Sequence, residues 1–122
     1  MSILLIEDEA SLRDLYCEIL REICPCKAVA LAEEALEKLT TGYFELVMTD
    51  IGLPGMAGDA LVRRIHLFYP DVSIIVISGA PLNALDSWSS FGVSAYLQKP
   101  VNLADLESCV KGVLHWRHLR SL

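Results

Sequence analysis

The stretch that decides the fold is residues 46–58, LVMTDIGLPGMAG, in which a run of apolar residues ends on one carboxylate. Leu46, Val47 and Met48 are typical of a short strand that is covered on both faces of a sheet. Asp50 follows two residues later, and Pro54-Gly55 predict a turn just beyond it. The rest of the sequence has to explain why a strand that is predicted to be buried should end on a charge.

Length and composition predict one compact domain. The chain has 122 residues, 53% of them apolar, and no Ser- or Gly-rich linker. We therefore expect a single domain over residues 1–122, with one core that buries roughly two-thirds of the surface of the unfolded chain, and no effector domain after it. The net charge of -6 argues against a nucleic-acid surface, which normally requires a clustered basic face.

The N-terminus predicts a cytoplasmic protein without a membrane partner. Glu7-Asp8 follow residues 3–6 before any apolar segment is long enough to be cleaved as a secretory signal or to span a bilayer.

The cysteines predict neither a disulfide framework nor a metal site. None of the four forms a C-x-x-C pair, so we expect reduced thiols that pack as small apolar side chains. They are Cys17, Cys24, Cys26 and Cys109.

Short apolar runs predict the strands. Four of them suit parallel, central strands covered on both faces, and a fifth short strand follows Gly92. The four runs are residues 3–6, 28–31, 46–48 and 74–77, and the fifth strand is predicted at residues 94–97.

Apolar residues at helical spacing predict helices between the strands. Gly42 is expected to cap the second helix and Pro70 to close the third, whereas the fourth, at about residues 83–90, is weak. The last helix is predicted to begin with Asn102 as its N-cap. The predicted buried stripes are Leu12, Leu15, Tyr16, Ile19, Leu20 and Ile23; Ala35, Leu36 and Leu39; Leu61, Val62, Ile65 and Phe68; and Leu103, Leu106, Val110, Val113 and Leu114.

Five strands alternating with five helices predict a doubly wound α/β sheet, in which ligands bind beyond the carboxyl ends of the strands. Polar residues stand at four of those five ends and should converge on one rim. They are Glu7-Asp8 after the first strand, Asp50 after the third, Ser78 after the fourth and Lys99-Pro100 after the fifth. The charge that ends the buried strand is therefore predicted to belong to a functional site.

The chemistry of this rim favours a cation and a phosphoryl group. Three carboxylates held together raise one another's pKa unless a cation neutralises them, and carboxylate oxygens suit Mg²⁺. One lysine and one hydroxyl beside such an ion can both meet the oxygens of a phosphoryl group.

These motifs, with Gly79-Ala80 after Ser78 and Y-L-Q-K-P at residues 96–100, resemble the response regulator receiver domain of two-component, or phosphorelay, signalling. The motifs extend from about residue 3 to Pro100, and the last predicted helix completes the family's fold. The resemblance implies a (βα)₅, flavodoxin-like or CheY-like fold with a five-stranded parallel sheet in the order 2-1-3-4-5.

The resemblance also implies roles for the acidic residues. Asp50 matches the phosphoacceptor, which takes a phosphoryl group from a sensor histidine kinase or a phosphotransfer protein. Asp8 and Asp50 would hold Mg²⁺, or Mn²⁺ in its place, with Glu7 reaching it through water and Gly52 through its backbone carbonyl.

Further residues match the rest of the family's site. Lys99 matches the lysine that pairs with the acceptor and then with the phosphoryl group, and Pro100 matches a proline after a cis peptide bond. Ser78 and Tyr96 match the switch hydroxyl and the switch aromatic. They would report phosphorylation to a downstream protein at the face made by the fourth helix, the fifth strand and the fifth helix. A homodimer that forms through this face is a further possibility.

On this interpretation the chain is not an enzyme in the usual sense, because it catalyses only its own phosphorylation and dephosphorylation. A flavin-binding protein is disfavoured by the acidic loop after the first strand. A phosphatase of the haloacid dehalogenase type is disfavoured by Gly52, where a second acid would be needed. The alternative that stays open is a receiver fold that binds partners without phosphorylation.

Overall fold

The computed structural model describes residues 2–51, 58–79 and 92–120, and these contain five strands and four helices. The strands are β1 (Ile3–Ile6), β2 (Cys26–Val29), β3 (Leu46–Asp50), β4 (Ser73–Ser78) and β5 (Val93–Gln98). The helices are α1 (Ala10–Arg21), α2 (Ala32–Thr41), α3 (Gly58–Phe68) and α4 (Leu103–Arg120). Helix α4 is the last helix of the sequence-based prediction, whereas the weak helix predicted at residues 83–90 lies outside the described residues.

The strands form one parallel sheet in the order β2-β1-β3-β4-β5, which confirms the predicted fold class. The register places Ile6 beside Thr49, and Asp50 beside Ile77. Because every strand runs in the same direction, the residues that follow β1, β3, β4 and β5 meet at one edge of the sheet. This edge carries the polar residues singled out in the sequence.

The sheet is covered on both faces, and alternate residues of each strand enter different layers of the core. Leu4, Ile6 and Val47 pack with α2 and α3. Ile3 and Leu5 pack on the other face with α1 and α4. Burying each such side chain contributes roughly 1.5–3 kcal/mol, so the central strands hold the rim at their ends in place.

Two sequence predictions about the strands were wrong. The second strand begins at Cys26, two residues earlier than predicted, because it pairs with β1 from Ile3 onward. It is also an edge strand of the sheet, with Lys27 exposed, and not a central one. The apolar run at residues 28–31 extends past the strand to Leu31, which caps α2.

Three residues of the predicted helical stripes do not lie in the core. Phe68 ends α3 and is 64% exposed, and Leu103 begins α4 and is also exposed, because helix ends project beyond the sheet. Leu15 faces outward beside the buried Tyr16. Ile23 follows the end of α1 but packs, partly buried, against the core, as predicted. The other stripe residues are buried or partly buried, as predicted.

The predicted helix caps are confirmed. Asn102 Oδ1 accepts hydrogen bonds from the N–H groups of Ala104 at 2.8 Å and Asp105 at 3.3 Å, as an N-cap should. Gly42 caps α2, and its N–H donates to the carbonyl of Lys38 at 2.9 Å. Cys17 and Cys26 are buried, and Cys24 and Cys109 pack partly buried against the same core layer, as predicted for small apolar side chains.

Gly92, just before β5, is expected to tolerate no side chain. Its φ of 76° is costly for other residues, and a Cβ would lie 2.2 Å from Nδ1 of His66. The exposed His66 side chain can move away, so the strained φ should dominate. We expect Gly92→Ala to lower the free energy of unfolding by about 1–2 kcal/mol, measured by urea denaturation.

A second glycine provides the matched control. A Cβ at Gly112, inside α4, meets nothing within 4 Å, so Gly112→Ala should raise stability by up to about 1 kcal/mol. Equal effects of the two substitutions would contradict the assignment of a special conformation to Gly92.

Candidate functional site

Three carboxylates meet at the carboxyl edge of the sheet. One oxygen each from Glu7, Asp8 and Asp50 lies within 4.8 Å of the others. Glu7 and Asp8 follow β1, and Asp50 ends the neighbouring β3, so the pairing of two central strands brings them together. Glu7 is 1% exposed and Asp50 is 8% exposed, whereas Asp8 is open to solvent.

Lys99 is the cation of this cluster. Its Nζ donates to Oε1 of Glu7 at 2.9 Å and to Oδ2 of Asp50 at 2.5 Å. The residue follows β5, where its backbone N–H donates to the carbonyl of Ser78 and its peptide bond to Pro100 is cis. Lys99 thereby connects the ends of β1, β3 and β5 through one ammonium group.

The electrostatics of the cluster follow from burial and pairing. Burial alone would lower the pKa of the Lys99 ammonium, but its hydrogen bonds to Asp50 and Glu7 outweigh burial and raise that pKa. Burial raises the pKa of Glu7, although hydrogen bonds from Lys99 and from the N–H of Glu9 oppose the shift. The buried Glu7 carboxylate is therefore only partly compensated by the single lysine.

The raised pKa of Glu7 predicts the pH dependence of stability in metal-free buffer. Above about pH 4.5 the folded chain still binds a proton on Glu7 that the unfolded chain has released. The free energy of unfolding must then fall as the pH rises through the raised pKa. The raised pKa of Lys99 affects stability only at alkaline pH. The stabilisation that it contributes is lost as the pH rises above the ordinary pKa of a lysine.

Urea titrations of the wild type and Glu7→Gln at a series of pH values, in a chelator, test this prediction. As the pH rises through the weakly acidic range, the wild type should lose stability relative to Glu7→Gln. A difference that stays constant, or changes in the other direction, would contradict it.

The remaining predicted site residues lie in three different places. Ser78 ends β4 and is buried, and Tyr96 is buried in β5, where it pairs in register with Val76. The ring of Tyr96 packs in the core layer of α2 and α3. Gly52, the predicted carbonyl ligand, falls outside the described residues.

Sequence reasoning missed Arg13, which lies in α1 beside the cluster. Its Nη1 donates to the carbonyl oxygens of Glu7 at 3.0 Å and Asp8 at 3.4 Å. A lone arginine five residues after an acidic pair is common on exposed helices, and its contacts here are to backbone atoms. No pattern of residue types would have identified it.

This fold and this site agree with comparisons with known proteins. Residues 3–111 match the model of the response regulator receiver domain, so the chain belongs to this family of two-component signalling domains. It is 31% identical over 121 residues to the two-component response regulator PhoP of Pseudomonas aeruginosa, with 93% of this chain and 52% of that protein covered.

Solved structures give the same result. A CheY-like response regulator receiver domain protein from Methanospirillum hungatei is 30% identical, with a TM-score of 0.90 and coverage of 98% of this chain and 97% of that one. A signal receiver domain of an HD domain-containing protein from Pseudomonas fluorescens is 27% identical, with a TM-score of 0.87 and 96% of each chain covered.

Only properties common to the family, and not those of whole relatives, are carried over to this chain. The chain spans 21–52% of the length of the first four curated relatives, so their activities as whole proteins are not transferred to it. Receiver domains pair with histidine kinases and output domains, and they generally bind Mg²⁺. Within the described helices, none is long and apolar enough to cross a membrane.

The residues present fit a magnesium ion. Three carboxylate oxygens within 4.8 Å of one another provide the hard donors that Mg²⁺ prefers, and the exposure of Asp8 leaves room for water or phosphate oxygens. The partly compensated charge of the cluster, with one ammonium for three carboxylates, also favours a cation.

Proposed function

We propose that Asp50 accepts a phosphoryl group from a phosphohistidine of a sensor histidine kinase or a phosphotransfer protein, in a reaction that depends on Mg²⁺. The observation that carries this proposal is the contact of Lys99 Nζ with Asp50 Oδ2, beside two further carboxylates at the end of β3. A surface carboxylate has no reason to be nearly buried, paired with an ammonium and surrounded by like charges. These features suit a phosphoryl acceptor, because an ammonium and a metal ion held by the neighbouring carboxylates can position the transferred group and neutralise its charge.

The residues of the chain have distinct parts in the proposed reaction. An oxygen of Asp50 forms a bond to phosphorus while the phosphorus–nitrogen bond of the phosphohistidine breaks, and Lys99 neutralises charge on the phosphoryl oxygens. Asp8, Asp50, Glu7 through water and the carbonyl of Gly52 would hold Mg²⁺. The ion, when bound, supplies charge neutralisation at the transferred group.

The proposal includes a switch at the surface. Phosphorylation adds a charge of about -1.5 to -2 at the end of β3, next to the end of β4 that carries Ser78. The Ser78 hydroxyl would follow the new oxygens and Tyr96 would change its position. A downstream protein would then recognise the face that includes β5 and α4. The same face could form a homodimer. We also propose that the protein acts in the cytoplasm.

Mass spectrometry after incubation with acetyl phosphate and Mg²⁺ tests this function. We expect one hydroxylamine-labile adduct of about 80 Da per chain, in the peptide that contains Asp50, and saturable binding of beryllofluoride. A folded wild-type chain that gives neither result would favour the alternative, a receiver fold that binds its partners without phosphorylation.

A further inference from the structure

Arg13 connects the first helix to the loop that carries two of the three carboxylates. It is the fourth residue of α1, and its guanidinium is half-buried against the turn between β1 and α1. Nη1 donates to the carbonyl oxygen of Glu7 at 3.0 Å and to that of Asp8 at 3.4 Å. One side chain thus holds two successive peptide groups of the loop.

The two carboxylates of the loop depend on this contact to different degrees. Glu7 is buried, and its carboxylate is already held by Lys99 Nζ and by the N–H of Glu9 at 3.3 Å. Asp8 is exposed, so the direction of its carboxylate follows the backbone of the loop. A change in the loop backbone should therefore affect Asp8 first.

We propose that Arg13 is a positioning residue for the metal site, which acts by fixing the backbone of Glu7 and Asp8 and so the direction of the Asp8 carboxylate. This inference rests on the proposed function, because it assigns a Mg²⁺ ion to the acidic cluster. Residues that orient metal ligands typically change metal affinity by 10–100-fold when they are replaced.

The direction of the change in Mg²⁺ affinity distinguishes a positioning role of Arg13 from a purely electrostatic one. A guanidinium close to a cation site repels the cation, so removal of its charge alone would tighten Mg²⁺ binding. Loss of the two hydrogen bonds frees the loop and weakens Mg²⁺ binding. The positioning role therefore predicts a change opposite to the electrostatic one.

The experiment measures metal affinity directly, without phosphorylation. Free Mn²⁺ is followed by electron paramagnetic resonance while Mn²⁺ and then competing Mg²⁺ are titrated into the wild type, Arg13→Met and Arg13→Lys. We expect the dissociation constant for Mg²⁺ to rise about tenfold in Arg13→Met. Arg13→Lys keeps the charge and one shorter donor, and it should give an intermediate value.

Arg21 provides the matched control, since it lies on the same helix and its Nε also donates to a backbone carbonyl, that of Cys26 at 3.5 Å. Arg21→Met should leave the metal affinity unchanged. Urea denaturation in chelator shows whether each variant is folded, and a purely structural role would lower stability without changing the dissociation constant.

The possible outcomes distinguish failure of the positioning role of Arg13 from failure of the proposed function. If the wild type binds metal and Arg13→Met binds it equally well or more tightly, the positioning role is overturned and the proposed function stands. If the folded wild type binds neither Mn²⁺ nor Mg²⁺, the proposed function fails, and the inference fails with it.

Discussion

Asp50→Asn is expected to abolish the phosphoryl adduct completely. The amide has nearly the size of the carboxylate, but its oxygen is a poor nucleophile and it carries no charge for Lys99 or for a metal ion. The variant therefore removes the proposed acceptor while the packing of β3 is kept. Intact-protein mass after acetyl phosphate and Mg²⁺ should show one adduct per chain in the wild type and none in the variant.

Two other aspartates make this experiment specific. Asp71 is exposed and precedes β4, at the opposite end of that strand from Ser78, so Asp71→Asn should be labelled like the wild type. Asp8→Asn keeps the proposed acceptor and removes a proposed metal ligand, so its adduct should form more slowly. An adduct of undiminished yield in Asp50→Asn would place the acceptor on another residue.

Lys99→Met is expected to have the largest effect on stability. The ammonium is paired with two carboxylates that are nearly buried, and its own side chain is 25% exposed. Breaking a buried pair costs about 3–5 kcal/mol, and the partial exposure of Lys99 places the expected loss near the lower end. For a domain of this size, the midpoint of thermal unfolding should fall by roughly 10 °C.

The loss should depend on pH and on metal. It should shrink at acidic pH, where Glu7, whose pKa is raised, takes up a proton. Added Mg²⁺ should restore part of the stability by binding only the folded state. Lys111 is the control, because its pair with Glu107 is exposed on α4, with 58% of the lysine side chain open to solvent. Lys111→Met should change the unfolding free energy by less than about 0.5 kcal/mol.

If Lys99→Met unfolded at the same denaturant concentration as Lys111→Met, the lysine would not be neutralising the cluster. The assignment of Lys99 as the partner of Asp50 would then have to be withdrawn.

Much of the fold and part of the site could be predicted because they depend on the order of residue types along the chain. Apolar runs that alternate with helical stripes predicted the parallel sheet. The rule that ligands bind at the carboxyl ends of strands then brought Glu7, Asp50 and Lys99 together, although they are far apart in sequence. The structure places these three groups in direct contact.

The errors have a common physical origin in the edges of the layers. A run of apolar residues does not show where pairing with a neighbouring strand begins, so β2 was predicted two residues late. Phe68 has the right spacing for the core but lies where α3 has passed the end of the sheet. Arg13 was missed because backbone carbonyls, which every residue has, leave no mark in the sequence.

The pair between Lys99 and Glu7 joins residues 92 positions apart in the chain. During synthesis on the ribosome, Glu7 and Asp50 emerge long before the strand that delivers their ammonium partner. Closure of such a long loop is slow compared with local contacts, and it requires β5 to dock at the edge of the sheet. A nascent or truncated chain that lacks β5 therefore has the proposed acceptor without its ammonium partner, so that competence for the proposed phosphorylation would begin only when β5 is in place.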